Sequence, residues 1–245
     1  MRVLVLCEGK TDAILISYLL SKLSGWYVTK SEKDMKILTD EKDNESSYWY
    51  TRSNNDKMLI CGVGGKDKFS SFFIDKIKPI ILQYPNEKRF DRIVIIHDKD
   101  FDNLDVLEEK ISNMFNPIVT KVKNDTWITN KYIDGFGVEG NVDVLGLIIP
   151  RDNEGALESV LLNSMQEQDP TKTIVQKSLD FVDQIKPQAQ SFIPNYRMEL
   201  KAKLGVSFAI LSPQKVFSYI DILIKSVDWE KSETIKSLFD KIINL

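Results

Sequence analysis

Two short apolar runs that each end on acid constrain this chain more than any other feature: Arg2 to Thr11, RVLVLCEGKT, and Arg92 to Asp102, RIVIIHDKDFD. Each is rich in β-branched residues and too short for a packed helix, the pattern of a strand buried on both faces of a parallel sheet. Glu8 closes the first run, and Asp98, Asp100 and Asp102 follow the second. In open α/β sheets ligands sit beyond the carboxyl ends of the strands where strand order reverses, so neighbouring strands would bring these acids to one site. Carboxylates crowded there need a cation, and an oxygen donor set without His or Cys suits Mg²⁺ or Mn²⁺.

A chain of 245 residues can bury a large core, as one large domain or as a domain with an appendage. Its 42% hydrophobic and 28% charged residues are ordinary for a globular protein, so composition alone selects no functional class. Cys7 and Cys61 both fall in apolar strand-like runs, which favours small buried residues over a disulfide framework; with a single His there is no structural zinc set. No apolar run approaches the length of a membrane span, and Met1 leads straight into a strand, so a reduced, cytoplasmic setting is expected. The net charge of -3 argues against a general nucleic-acid binder, yet leaves a local Lys-rich surface or a bridging metal to hold a phosphate backbone.

After the first run, Gly9 permits a tight turn and Thr11 or Asp12 caps a helix from about Ala13 to Leu23, with Ile14, Leu15, Tyr18, Leu19 and Leu23 at helical spacing. Residues 27–57 turn polar, a length that marks an insertion. The aromatic run Tyr48, Trp49, Tyr50 within it reads as cross-strand packing in a hairpin, with base stacking as the alternative. Met58 to Val63 is a second core strand that runs into Gly64, Gly65 and Lys66. Glycines between a strand and a helix let backbone N–H groups approach phosphate, which makes these three, with Gly9, candidate phosphate or nucleic-acid contacts. GVGGKD is neither a Walker A loop nor a dinucleotide fingerprint, and a tight strand-to-helix turn explains it equally well.

The next helix sets Phe69, Phe72, Phe73, Ile77, Ile80 and Ile81 on one face. After the strand Arg92 to His97, Asp98 and Asp100 stand two apart and project to one side while the chain stays extended, a geometry suited to holding a metal. Asp102 also suits a helix cap, and His97 reads as a buried neighbour of the acids rather than a ligand. The helix beyond turns Leu104, Leu107, Ile111, Met114 and Phe115 inward. Ile118 to Val122 and Thr126 to Tyr132 are candidate short strands, and Val142 to Ile149 is the fourth core strand. Glu154 and Glu158 lie one turn apart on the following helix, by default a surface pair. Beyond Gln166 only amphipathic helices follow, the last with Ile235, Leu238, Phe239 and Ile242 inward. The expected organisation is an α/β domain over 1–165, with its polar insertion at about 27–57, and a helical extension over 166–245 packed on it.

This order resembles the TOPRIM domain, whose signature pairs a glutamate after the first strand, here in CEGKTD, with an Asp-x-Asp after the third, here in HDKD. PRDNEGALESVLL is similar to the later acidic segment of the TOPRIM branch found in OLD-family nucleases and in small stand-alone prokaryotic proteins. In that branch a glutamate in a Gly-x-Leu-Glu context, here Glu158, joins the metal cluster. The resemblance covers about residues 1–165 and implies a Rossmann-like three-layer sandwich with a mainly parallel central sheet.

It also implies divalent-metal phosphoryl transfer on nucleic acid, DNA or RNA. Glu8, Asp98 and Asp100 would hold Mg²⁺ or Mn²⁺, with Glu8 alternatively the general acid or base. Asp102 and Glu158 would extend the cluster, and Lys10 would contact phosphate or neutralise the site. The chain departs from larger relatives: two cysteines cannot build a primase-type zinc segment, and the length hardly accommodates a topoisomerase's tyrosine domain. It opens on the TOPRIM strand where OLD enzymes carry an ATPase, which makes a separately encoded ATPase a candidate partner. Three functions stay open: a nuclease or related phosphodiester enzyme, a non-catalytic module for nucleic acid, nucleotide or a partner protein, and a small-molecule phosphohydrolase.

Overall fold

Apolar runs and helical stripes become a mixed α/β sheet unit and a helical unit in a computed structural model, which describes residues 1–29, 39, 44–83, 89–151, 153–167, 169–215 and 223–245. The first unit contains β1 (Arg2–Cys7), α1 (Lys10–Leu23), β2 (Tyr27–Thr29), β3 (Ser46–Thr51), β4 (Lys57–Gly62), α2 (Phe69–Phe72), α3 (Lys78–Gln83), β5 (Arg92–Asp98), α4 (Leu104–Met114), β6 (Trp127–Ile133) and most of β7 (Glu139–Ile149). The second contains α5 (Leu157–Met165), α6 (Thr171–Ile185), α7 (Tyr196–Leu211) and α8 (Glu233–Ile243). The compact units are Met1–Ile148 with Leu245, and Ile149–Asn244. α5, assigned by sequence to a sheet domain reaching 165, therefore groups with the helices. Of the polar stretch at 27–57, part forms β2 and β3, while 30–38 and 40–43 lie outside the described residues.

The described strands make a seven-stranded sheet ordered β2-β3-β4-β1-β5-β7-β6. β1 lies between β4 and β5 and runs parallel to both, with Leu4 opposite Leu59 and Ile93. β2 and β3, β3 and β4, and β6 and β7 pair antiparallel, so the sheet is mixed around a parallel centre. Leu4, Leu6, Leu59, Cys61, Ile93 and Ile95 join a buried cluster with the Phe69–Ile81 helical segment and with Leu107 and Ile111 of α4. Their alternates Val3, Val5, Met58, Ile60, Val94 and Ile96 are buried too. Leu15, Ile16, Leu19 and Leu20 of α1, which packs on β1 and β4, are buried outside that cluster. Burial of both faces is what makes these strands read as unbroken apolar runs.

Several local expectations change. α1 starts at Lys10, with Gly9 as its extended cap residue, because the Asp12 carboxylate reaches back to accept the Gly9 N–H at 2.9 Å. Its inward face consequently centres on Leu15, Ile16, Leu19 and Leu20, leaving Leu23 exposed. The helix after β4 keeps Phe69, Phe72, Phe73, Ile77, Ile80 and Ile81 buried, but a π turn at Phe73–Ile77 divides α2 from α3. Ile118 to Val122 is not a strand. Its backbone is held instead by the buried Asn130 side chain, whose Oδ1 accepts the N–H groups of Thr120 and Lys121, each at 2.8 Å. Trp49 and Tyr50 are buried within paired β3 while Tyr48 is exposed, the pattern of cross-strand packing.

The helical unit has its own core, in which Trp229 packs edge-on against Phe208 at 6.4 Å and donates its indole N–H to the Leu223 carbonyl at 2.5 Å. α8 buries Ile235, Leu238, Phe239 and Ile242, and Ser232 caps it by accepting the Ile235 N–H. No helix among the described residues is long and apolar enough to cross a membrane.

Candidate functional site

Placing β1 in the centre sends the chain to β4 on one side and to β5 on the other, so strand order reverses at the carboxyl ends of β1 and β5. Register sets Cys7 opposite Ile96, so Glu8 leaves one strand where His97 and Asp98 end the other. Glu8 Oε1 accepts the Asp98 backbone N–H at 2.9 Å. His97 Nδ1 lies 3.4 Å from the same oxygen and 2.7 Å from the Asp98 carbonyl oxygen, which makes it the protonated nitrogen. Glu8 and Asp98 are each only 4% exposed, so two acidic residues are buried at these neighbouring strand ends. Phe69 stacks on the His97 ring at 5.5 Å, and His97 Nε2 is buried with no hydrogen-bond partner. His97 is thus the buried neighbour that the sequence suggests.

The glycine loop closes on the same place. Gly65 donates its N–H to the Glu8 carbonyl at 2.8 Å, and Gly64 and Gly65 have φ of 89° and 133°, a region open chiefly to glycine. Lys66, next in the loop, sets its ammonium 2.6 Å from Asp100 Oδ2. The alternation expected to aim Asp98 and Asp100 alike does not apply, because β5 stops at Asp98 and Asp100 has turned to φ 50°. The geometry therefore joins Glu8 to Asp98 directly and Asp100 to them through the glycine loop and Lys66. Among the described residues no group of three or more His, Cys, Asp or Glu side chains stands ready-arranged around a metal position.

The remaining candidates are less central. Lys10 is exposed at the first position of α1. Asp102 is exposed and does not cap α4; Asn103 does, accepting the Asp105 N–H at 2.9 Å. Glu158 belongs to the helical unit, where its carboxylate is 3.9 Å from Lys201 Nζ. Sequence reasoning named Asp12 only as a helix cap and missed that its hold on the Gly9 N–H fixes the backbone next to Glu8, and it missed the partnership of Lys66 with Asp100. An Asp three residues after a glycine at a helix start is a signal for the first; nothing local signals the second. Burial raises the pKa of the Cys7 and Cys61 thiols above their ordinary range, the direction expected of small buried residues.

A family model described as "Protein of unknown function (DUF3226)" matches residues 2–233. No curated protein matches the chain. A hypothetical protein from Pyrococcus horikoshii OT3 is similar at 15% identity and a TM-score of 0.47, over 99% of this chain and 100% of that one. The cytosolic domain of the T. maritima FeoB iron transporter, in a GDP form, is similar at 12% identity and a TM-score of 0.26, over 99% of this chain and 95% of that one. At such scores these likenesses define neither a fold nor a function for this chain.

Proposed function

This chain belongs to the DUF3226 family, and we propose that it is a divalent-metal-dependent phosphoryl-transfer protein, a nuclease acting on DNA or RNA phosphodiesters. The proposal includes a Rossmann-like TOPRIM arrangement of the sheet unit and a cytoplasmic setting. The observation that carries it is the pairing of Glu8 with the Asp98 backbone at 2.9 Å, with both carboxylates buried at the ends of two central parallel strands. A buried carboxylate costs free energy unless hydrogen bonds or a cation compensate it. The oxygen donors of Glu8, Asp98 and Asp100 fit Mg²⁺ or Mn²⁺, and Asp102 is the outlying candidate within the same unit. When bound, the ion supplies polarisation of a phosphoryl oxygen and of an attacking water.

The chain's own groups do the rest. His97, whose Nδ1–H is given to the Asp98 carbonyl, sits 3.4 Å from Glu8 Oε1 and packs beside the Glu8 carboxylate, in place to position it for ligation or proton transfer. Lys66, beside the Gly64–Gly65 turn whose Gly65 N–H is already given to the Glu8 carbonyl, offers an ammonium to a phosphate, and Lys10 adds a second cation at the start of α1. A separately encoded ATPase remains a proposed partner. A second reading, a non-catalytic module that binds nucleic acid, nucleotide or protein, is favoured by the Lys66–Asp100 pair, which compensates one acid without metal.

The test is a cleavage assay on single- and double-stranded DNA and RNA with Mg²⁺ or Mn²⁺, comparing wild type with Asp98→Ala purified identically. Cleavage falling to background in the variant, with an unchanged circular dichroism spectrum, is the expected result. Equal cleavage by both removes Asp98 from the chemistry. Binding without cleavage by the wild type selects the second reading.

A further inference from the structure

Resting on the metal-site reading, we infer that Lys66 is an exchangeable counter-ion: its ammonium occupies the cation position at Asp100 until a divalent ion displaces it, and then engages a substrate phosphate. Metal and phosphodiester would therefore bind in order, metal first. Lys66 Nζ is 2.6 Å from Asp100 Oδ2, and the two side chains are 31% and 19% exposed, so ions and phosphate can reach the pair. The backbone beneath Lys66 is anchored, since Gly65 gives its N–H to the Glu8 carbonyl at 2.8 Å. Only the flexible four-carbon stem has to swing.

The charges set the direction of exchange. A divalent ion brings twice the ammonium's charge to Asp100 and takes carboxylate oxygens as direct ligands, which a hydrogen-bonding ammonium cannot match. A displaced ammonium leaves the anionic cluster and faces solvent beside the Gly64–Gly65 turn, where phosphate is the compensating partner. Because binding free energies are reciprocally linked, what metal does for phosphate affinity, phosphate does for metal affinity. During loading Lys66 and the incoming metal compete for Asp100; in the loaded protein Lys66 and metal cooperate on substrate.

The experiment titrates Mn²⁺ into wild type, Lys66→Met, Lys66→Arg and Asp98→Ala, following free Mn²⁺ by electron paramagnetic resonance, with no turnover needed. Each titration is repeated with a fluorescent single-stranded oligonucleotide whose affinity is read by anisotropy. Lys66→Met is expected to bind Mn²⁺ about fivefold tighter than wild type, the worth of a part-exposed ion pair, while Lys66→Arg stays near wild type. Mn²⁺ is expected to raise oligonucleotide affinity in wild type and not in Lys66→Met. Equal Mn²⁺ affinity in wild type and Lys66→Met, with binding lost in Asp98→Ala, overturns the exchange and leaves the metal site standing. No Mn²⁺ binding by folded wild type overturns both.

Discussion

Gly62→Ala is the substitution that most directly tests how the site is assembled. A Cβ at Gly62, the last residue of β4, would stand 2.9 Å from both the Gly9 carbonyl carbon and its oxygen, and 2.9 Å from Ser46 Oγ. Favourable carbon contacts lie at about 3.5–4.0 Å, so each of these is a true overlap. The Ser46 hydroxyl can rotate away. Gly9 cannot, because its N–H is tied to Asp12 and the next residue begins α1. Overpacking against fixed atoms costs roughly 1–3 kcal/mol, and the overlap with backbone places Gly62→Ala in about the middle of that range. At this chain length each kcal/mol moves a melting midpoint by about 2–4 °C. The matched control is Gly205→Ala in the interior of α7, where an added Cβ meets nothing within 4 Å. That change is expected to stabilise by about 0.5–1 kcal/mol through helix propensity. Urea unfolding followed by tryptophan fluorescence reads both. Since Gly9 adjoins Glu8, Gly62→Ala should also weaken Mn²⁺ binding. An unchanged urea midpoint together with unchanged Mn²⁺ affinity would refute the close approach of β4 to the Glu8 turn.

Asn130→Ala removes a buried side chain that accepts from Thr120 and Lys121 and donates to the Lys121 and Ile128 carbonyls. A loss of about 3 kcal/mol is expected from the stranded backbone groups, and native-state hydrogen exchange at Thr120 and Lys121 should rise; protection equal to wild type would contradict it. In the helical unit, hydrogen bonds from Lys186 and then Lys203 hold the Glu199 carboxyl below its ordinary value. A lowered folded pKa contributes stability that is fully present above the ordinary Glu value near 4.5 and is lost as pH falls through the lower folded value. Urea midpoints measured from pH 6 downward should therefore decline more steeply in wild type than in Glu199→Gln, and parallel curves would remove Glu199 from the acid response.

The elements of the sheet unit were legible wherever one physical signal dominated. Arg2–Cys7 and Arg92–Asp98 could be read as buried strands because both their faces are covered, which leaves no polar alternation. Phe69, Phe72, Phe73, Ile77, Ile80 and Ile81 marked a buried helical face even though a π turn interrupts it. Reading failed where a side chain from elsewhere replaced a local rule. Asn130 does for Thr120 and Lys121 what a neighbouring strand would have done, and Asp12 moves the helix start back to Lys10. The α5 segment reads as a continuation of the sheet domain because the sequence order of strand then helix carries no mark of where contacts divide.

By itself the sequence determined the chemistry available: which runs become core strands, that Glu8 and Asp98 stand at strand ends, and that glycines precede Lys66. These follow from side-chain pattern and backbone freedom, both local properties. Only the tertiary structure decided that β1 lies between β4 and β5, which joins Glu8 to Asp98 and folds Lys66 onto Asp100 from 34 residues away. Strand order and register come from long-range pairing. A few ångströms of register decide whether carboxylates meet each other, a backbone N–H or an ammonium, and no local pattern encodes that distance.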